Sequence, residues 1–274
     1  MTEGEGSRGA VGEAGAESDG GPASGVAARA AARAAPSVAG QAARRLAQAE
    51  QRLRAAKPPD ARTYATARLL GRVVFGACVG ERVIGLEHVP RTGPLMIVAN
   101  HLSYLEPPLL ATVIPRRITF LAGHELWEIG WLSWVLRRMQ ALPVQKGGAG
   151  DLEAIRTALT LLKAGEAVAV FPEGQINTTS GLLRGKPGVS LLAQRSGAQV
   201  LPIAVTGTER LKNLGPFLTA RWQRPRVRVT IGQPFIPEYG PGRPDHQAVT
   251  DQVMGRLAAL LPEEYRGEYV GRES

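Results

Sequence analysis

Two spacings of apolar residues alternate along most of the chain. Short apolar runs bounded by Gly, Pro or charged residues predict strands at 82–86, 94–99 (PLMIVA), 117–122 (RITFLA), 141–144, 167–171 (AVAVF), 199–205 and 226–231 (RVRVTI). Between them, helical spacing predicts helices at 61–80, 107–113, 124–139, 150–163, 187–196 and 245–261. In 150–163, Leu152, Ile155, Leu159 and Leu162 share one face, and Gly165 supplies the stop. Strands that are apolar throughout, alternating with helices, mark a sheet covered on both sides. The fold class expected is α/β: a mixed, largely parallel central sheet flanked by helices on both faces. An amphipathic helix and a disordered tail precede it.

Residues 1–57 are rich in Ala, Gly and Arg and contain no aromatic residue, so they bury too little apolar surface to offset the entropy of ordering. They are expected to be a disordered tail, with a possible helix at 41–56. Residues 58–81 are expected to form an amphipathic membrane-docking helix. Leu69, Val73 and Ala77 line one side of it, Leu70 and Val74 flank them, and Arg68 and Arg72 lie elsewhere. A first core helix with a solvated arginine edge is the competing reading. Residues 82–262 hold the alternating elements of the folded domain, and 263–274 are expected to trail as a tail.

The formal charge of +9 favours anionic partners. Residues 1–60 carry 8 basic and 7 acidic side chains, leaving 25 and 17 for the rest, so the positive surface belongs to the folded part. Nucleic acid is not the expected partner: aromatics are only 5% and are not interleaved with the basic residues. Cys78 is the single cysteine, which removes any intramolecular disulfide. No early basic region runs into an apolar stretch, and no run reaches bilayer-spanning length. The expected location is cytoplasmic, peripheral on the cytoplasmic face of a membrane. His88, His124 and His246 lack metal-ligand spacing, so no metal is expected. Trp127, Trp131 and Trp134 would share one face of the helix 124–139, as core or as a second membrane contact.

Ligands of open α/β sheets gather beyond the carboxyl ends of strands. Three expected strand ends carry suggestive residues there: Asn100-His101, Gln145-Lys146 and Pro172-Glu173-Gly174. His101 precedes Glu106 by five residues, which on one helix would separate the side chains by about 140°. They meet only if a turn intervenes. Pro107 supplies it, by suiting the first helical position and pushing Glu106 out of the α region. A carboxylate on one imidazole nitrogen frees the other to take a proton from a hydroxyl. The alternative, that Asn100 and His101 merely cap the turn, stays open on these residues. A hydrolase using Ser103 would need a nucleophile elbow, and no Gly-x-Ser-x-Gly occurs.

NHLSYLEPP, residues 100–108, resembles the first block of the PlsC-type glycerolipid acyltransferases, those related to 1-acyl-sn-glycerol-3-phosphate acyltransferase. FPEG at 171–174 matches a second block, LPIAV at 201–205 resembles a third, and GLEHVPRTGPLMIVANH is similar to the family's approach to the first. The resemblance spans roughly 62–235, with the blocks in the family's order. It implies a catalytic base, His101, oriented by Glu106. It implies acyl-CoA or acyl-carrier protein as donor, a lysophospholipid acceptor, a membrane phospholipid surface as partner, and no metal or other cofactor. It assigns Glu173 and Gly174 to acceptor binding, with Lys146, Arg184 and Lys186 as cations nearby. Three departures bear on the acceptor. Glu106 stands where the family has Asp, and Lys146 where it has Arg. Gln175, Ile176 and Asn177 replace Thr-Arg-Ser. Separately, beside Lys186, Gly185 replaces the usual Phe. The expected activity is therefore O-acyl transfer to a lysophosphatidate-like lipid. Another hydroxyl-bearing lipid, or a non-catalytic membrane-binding relative, is the alternative.

Overall fold

The structure is a computed structural model, and it describes residues 61–271 except 131–132, 134–135, 137–140, 145–148, 178, 180 and 212–225. The expected tail 1–57 and its helix 41–56 lie outside the described residues.

The chain runs α1 (Ala61–Val79), β1 (Arg82–Ile84), β2 (Leu95–Ala99), α2 (Glu106–Val113), β3 (Ile118–Gly123), β4 (Leu142–Val144), α3 (Ala149–Lys163), β5 (Ala167–Val170), α4 (Gly188–Ser196), β6 (Gln199–Thr206), β7 (Arg228–Ile231) and α5 (His246–Ala258). The seven strands form one sheet in the order β1-β7-β6-β2-β5-β3-β4. From β6 to β4 neighbouring strands are parallel; β7 runs antiparallel to β6, and β1 parallel to β7. The mixed, largely parallel sheet expected from the apolar runs is what forms.

β2 shows why its residues make a central strand. All five are buried, and they alternate between two cores. Leu95, Ile97 and Ala99 pack with Leu109, Leu110 and Val113 of α2. Met96 and Val98 pack with Leu162 of α3, Leu192 of α4 and Val253, Met254 and Leu257 of α5. A strand buried on both faces has no polar side, hence the unbroken apolar run. α1 lies against α2: Gly71 approaches Thr112, Arg68 Nη1 donates to Ile114 O at 3.4 Å, and Phe75 packs on the first core. Leu69, Leu70 and Val73 of α1 remain exposed, at 65%, 64% and 59%.

The structure corrects three local expectations. The helix expected at 124–139 is broken: a 3-10 turn covers His124–Glu128, and Ile129 is extended. Trp127 therefore lies before the break, while Trp131 and Trp134 lie outside the described residues. In α3, Leu152 is exposed, whereas Ile155, Leu159 and Leu162 pack on the second core as expected, joined by Ala158 and Leu161. The segment beyond 262 does not trail. It forms 3-10 turns at Glu263–Tyr265 and Gly267–Tyr269, with Tyr269 only 2% exposed. It lies along the loop after β5: Leu182 N donates to Tyr265 O at 2.9 Å, and Glu268 N to Leu182 O at 3.2 Å.

Candidate active site

β6, β2 and β5 are adjacent at the centre of the sheet, and their carboxyl ends lie together. Asn100 continues the sheet by one rung with its side chain. Its Nδ2 donates to Val205 O at 2.7 Å, and its Oδ1 accepts from Val205 N at 2.8 Å. His101 thus leaves the sheet from a fixed point.

The backbone turns at once, and α2 begins at Glu106, one residue before the proline expected to open it. Pro107 has no amide hydrogen to lose in a first turn, so it costs nothing there. The turn brings Glu106 Oε2 to 2.9 Å from His101 Nδ1. Glu106 is fully buried and its carboxylate is well supplied with donors. Oε2 also accepts from Ser103 N at 2.8 Å, and Oε1 accepts from the Thr208 hydroxyl. A carboxylate oxygen accepts, so Nδ1 is the donor in this contact and Nε2 is the ring nitrogen left to meet a substrate. The imidazole stacks on Phe171, centroids 4.1 Å apart and planes 18° apart, which fixes its plane. Such a pair can take a proton from a hydroxyl placed at Nε2.

The ring forms part of the wall of a cavity of about 340 Å³. Phe120, Ala122, Leu126 and Leu136 are among its apolar lining, and Tyr104, Gln175 and Ile176 line it too. Ser103 is no nucleophile for this histidine: its hydroxyl accepts from Leu105 N at 3.0 Å, and among the described residues no hydrogen bond joins it to the ring.

Glu173 is 4% exposed, and both of its oxygens are engaged. Oε1 accepts from His101 N at 2.9 Å; Oε2 accepts from Leu183 N at 3.1 Å and Asn177 Nδ2 at 3.3 Å. Burial pushes its carboxyl above the usual range, and these donors oppose the rise. The carboxylate that the motif offered for acceptor binding is thus turned inward, onto the backbone of the histidine. Asn177 completes the clasp, its N donating to His101 O at 2.6 Å.

Gly174 has φ +71, and a Cβ there would fall 2.5 Å from Lys186 Nζ. Glycine is needed for the left-handed turn, and its lack of a side chain leaves space for the lysine that crosses it. Lys186 and Arg184 are exposed on the same loop, whereas Lys146 lies outside the described residues. Gly185 has no room for the phenylalanine of the motif: a Cβ would come within 2.8 Å of Met254 and Thr250, and its N donates to the Tyr269 hydroxyl at 3.1 Å. Thr208, Asn177 and Phe171 were not singled out as functional from sequence. Only a motif running past LPIAV, or a rule for what sits beside a buried glutamate, could have found Thr208.

Known proteins resemble this chain in sequence and in fold. The family model described as Acyltransferase matches residues 81–206. The 1-acyl-sn-glycerol-3-phosphate acyltransferase of Bacillus subtilis (strain 168) is 27% identical over 165 residues, covering 60% of this chain and 78% of that protein. A chloroplastic enzyme of the same name from Arabidopsis thaliana is 27% identical over 153 residues, covering 55% of this chain but only 42% of the plant protein. Among solved structures, the 1-acyl-sn-glycerophosphate acyltransferase PlsC of Thermotoga maritima shares the fold, with a TM-score of 0.56, 24% identity, and coverage of 72% of this chain and 78% of that one. The motif order and the family model converge: residues 81–206 form an Acyltransferase domain, and the chain is similar in sequence and fold to the PlsC-type glycerolipid acyltransferases.

Proposed function

We propose that this acyltransferase moves a fatty acyl group from the thioester of acyl-CoA or acyl-carrier protein to a free hydroxyl of a lysophosphatidate-like lipid, with His101 as general base. The observation that carries the reading is the 2.9 Å contact of His101 Nδ1 with the buried Glu106, on a ring that lines an apolar cavity. His101 Nε2 takes the acceptor's proton as its oxygen attacks the thioester carbonyl. Glu106 stabilises the imidazolium, which gives the proton to the thiolate released as the thioester C–S bond breaks. The acyl chain occupies the apolar side of the cavity, while the exposed Arg184 and Lys186 supply positive charge for the acceptor's phosphate. Glu173 acts behind the histidine rather than on the acceptor.

Purified protein on lipid vesicles, given labelled palmitoyl-CoA and a panel of lyso-lipids, tests this. His101→Ala should lower the rate by roughly 10²–10⁴-fold; equal rates in parent and variant would sink the mechanism. Gln175 and Ile176 line the cavity where the family has Thr and Arg, which favours a second reading with an unphosphorylated acceptor. The panel separates the two by whether the phosphate is required. The exposed Leu69, Leu70 and Val73 suit a helix lying in a membrane interface at the cytoplasmic face. Among the described residues no helix is long and apolar enough to cross a membrane.

A further inference from the structure

We propose that Thr208 is a positioning residue for the reaction, held on Glu106 by a brace from the C-terminal segment. This rests on the reading of His101 as the base. Glu106 has two oxygens. One holds His101 and the other accepts the Thr208 hydroxyl, in a site where Glu106 is fully buried and Thr208 1% exposed. A buried carboxylate oxygen deprived of its donor turns toward any other donor or takes a proton, and either response moves it off the histidine. Thr208 thus sets which way the carboxylate faces.

Thr208 is itself held from further out. It follows Gly207, whose φ of +91 and close approach to Arg226 O exclude a side chain. Gly207 N donates to Glu209 Oε2 at 2.9 Å, which closes the turn. Glu209 Oε1 accepts from the Tyr265 hydroxyl at 2.8 Å, with Arg210 Nε 3.5 Å from the same oxygen. The segment carrying Tyr265 also pins Leu182, next to the Leu183 N that donates to Glu173. Residues 265–268 therefore stand behind both carboxylates that hold His101. All of Thr208, Glu209 and Tyr265 lie past residue 206, where the family match ends.

The test is steady-state kinetics with palmitoyl-CoA and 1-acyl-glycerol-3-phosphate on Thr208→Val, Thr208→Ser and Tyr265→Phe. Thr208→Val keeps the shape and deletes the hydroxyl. Its kcat should fall roughly 10- to 100-fold with KM for both substrates within about twofold, and Thr208→Ser should recover most of the loss. Tyr265→Phe should lower kcat about two- to fivefold in the same pattern. A folded Thr208→Val with parental kcat overturns the proposal. So does a serine variant as slow as the valine one, since packing rather than the hydroxyl would then matter. If Thr208→Val does not fold, Tyr265→Phe decides, and a parental kcat in it overturns the brace. If His101→Ala keeps full activity, the base assignment has failed instead. The Thr208 contact is then judged by the Nδ1–H proton resonance of His101, identified by its loss in His101→Ala. It should move in Thr208→Val and hold in Thr208→Ser; no movement in either overturns the contact.

Discussion

Glu106 occupies the first residue of α2 and must reach the His101 ring, the Ser103 amide and the Thr208 hydroxyl at once. Aspartate would draw the carboxylate back by about 1.5 Å, one bond length. In this turn the longer side chain is the one that fits, so the departure from the family's residue is matched by its surroundings. Glu106→Asp should lower kcat by roughly tenfold or more, read from initial rates with the same donor and acceptor. A rate at or above the parent's would show that the turn has slack for the shorter residue. That a turn must separate His101 from Glu106 was legible in their spacing, but Pro107 does not push Glu106 out of the α region as expected: Glu106 is itself the first residue of the helix. Glu173 was read as a substrate ligand, since a motif reports that a carboxylate is needed but not which way it points. Its inward direction follows from the Leu183 and Asn177 donors, which only the folded loop brings to it.

At the scale of elements, the strands were legible to within two residues at each end: the central ones, buried on both faces, leave unbroken apolar runs, while β7 shows as alternation. The helix at 124–139 was misread because Ile129 turns extended and interrupts a pattern whose period survives it. The C-terminal segment was misread for a different reason: a piece of chain that docks by two tyrosines and a few backbone bonds has no periodicity to detect. Tyr265 and Tyr269 themselves were the available signal, since tails rarely carry aromatics. Those tyrosines make the docking sensitive to alkali. Burial and the Glu209 carboxylate push the Tyr265 phenol up to about 12, and burial and Asp251 do the same for Tyr269, about 12, against Gly185 N. Phenols with raised values lend stability that is whole below the unfolded value near 10 and is lost as pH rises toward 12. Thermal melts should therefore fall over that window, and less steeply in the doubly substituted Tyr265→Phe, Tyr269→Phe protein. Equal slopes in the two would mean that the segment's docking does not depend on the phenols.

For the molecule as a whole, net charge and the exposed side of α1 work together. A +9 chain meets an anionic bilayer with favourable long-range attraction, and Leu69, Leu70 and Val73 then have an apolar phase to enter. Replacing all three with serine should weaken cosedimentation with phosphatidylglycerol vesicles by at least about tenfold, because each large apolar side chain contributes roughly 1.5–3 kcal/mol when buried. Unchanged sedimentation would assign α1 to the protein's own core and leave charge as the sole attraction. The sheet order has a consequence for how the chain reaches this state. β1, made first, pairs in register with β7, made last, Arg82 opposite Arg228. During synthesis the five parallel strands can assemble once residue 206 has emerged, while β1 waits for a neighbour. Until β7 arrives, the outer edge of β6 offers unpaired backbone groups to any strand that comes near. Refolding at high concentration should thus be most prone to strand exchange between copies at this late step, when the sheet is nearly complete but not yet closed.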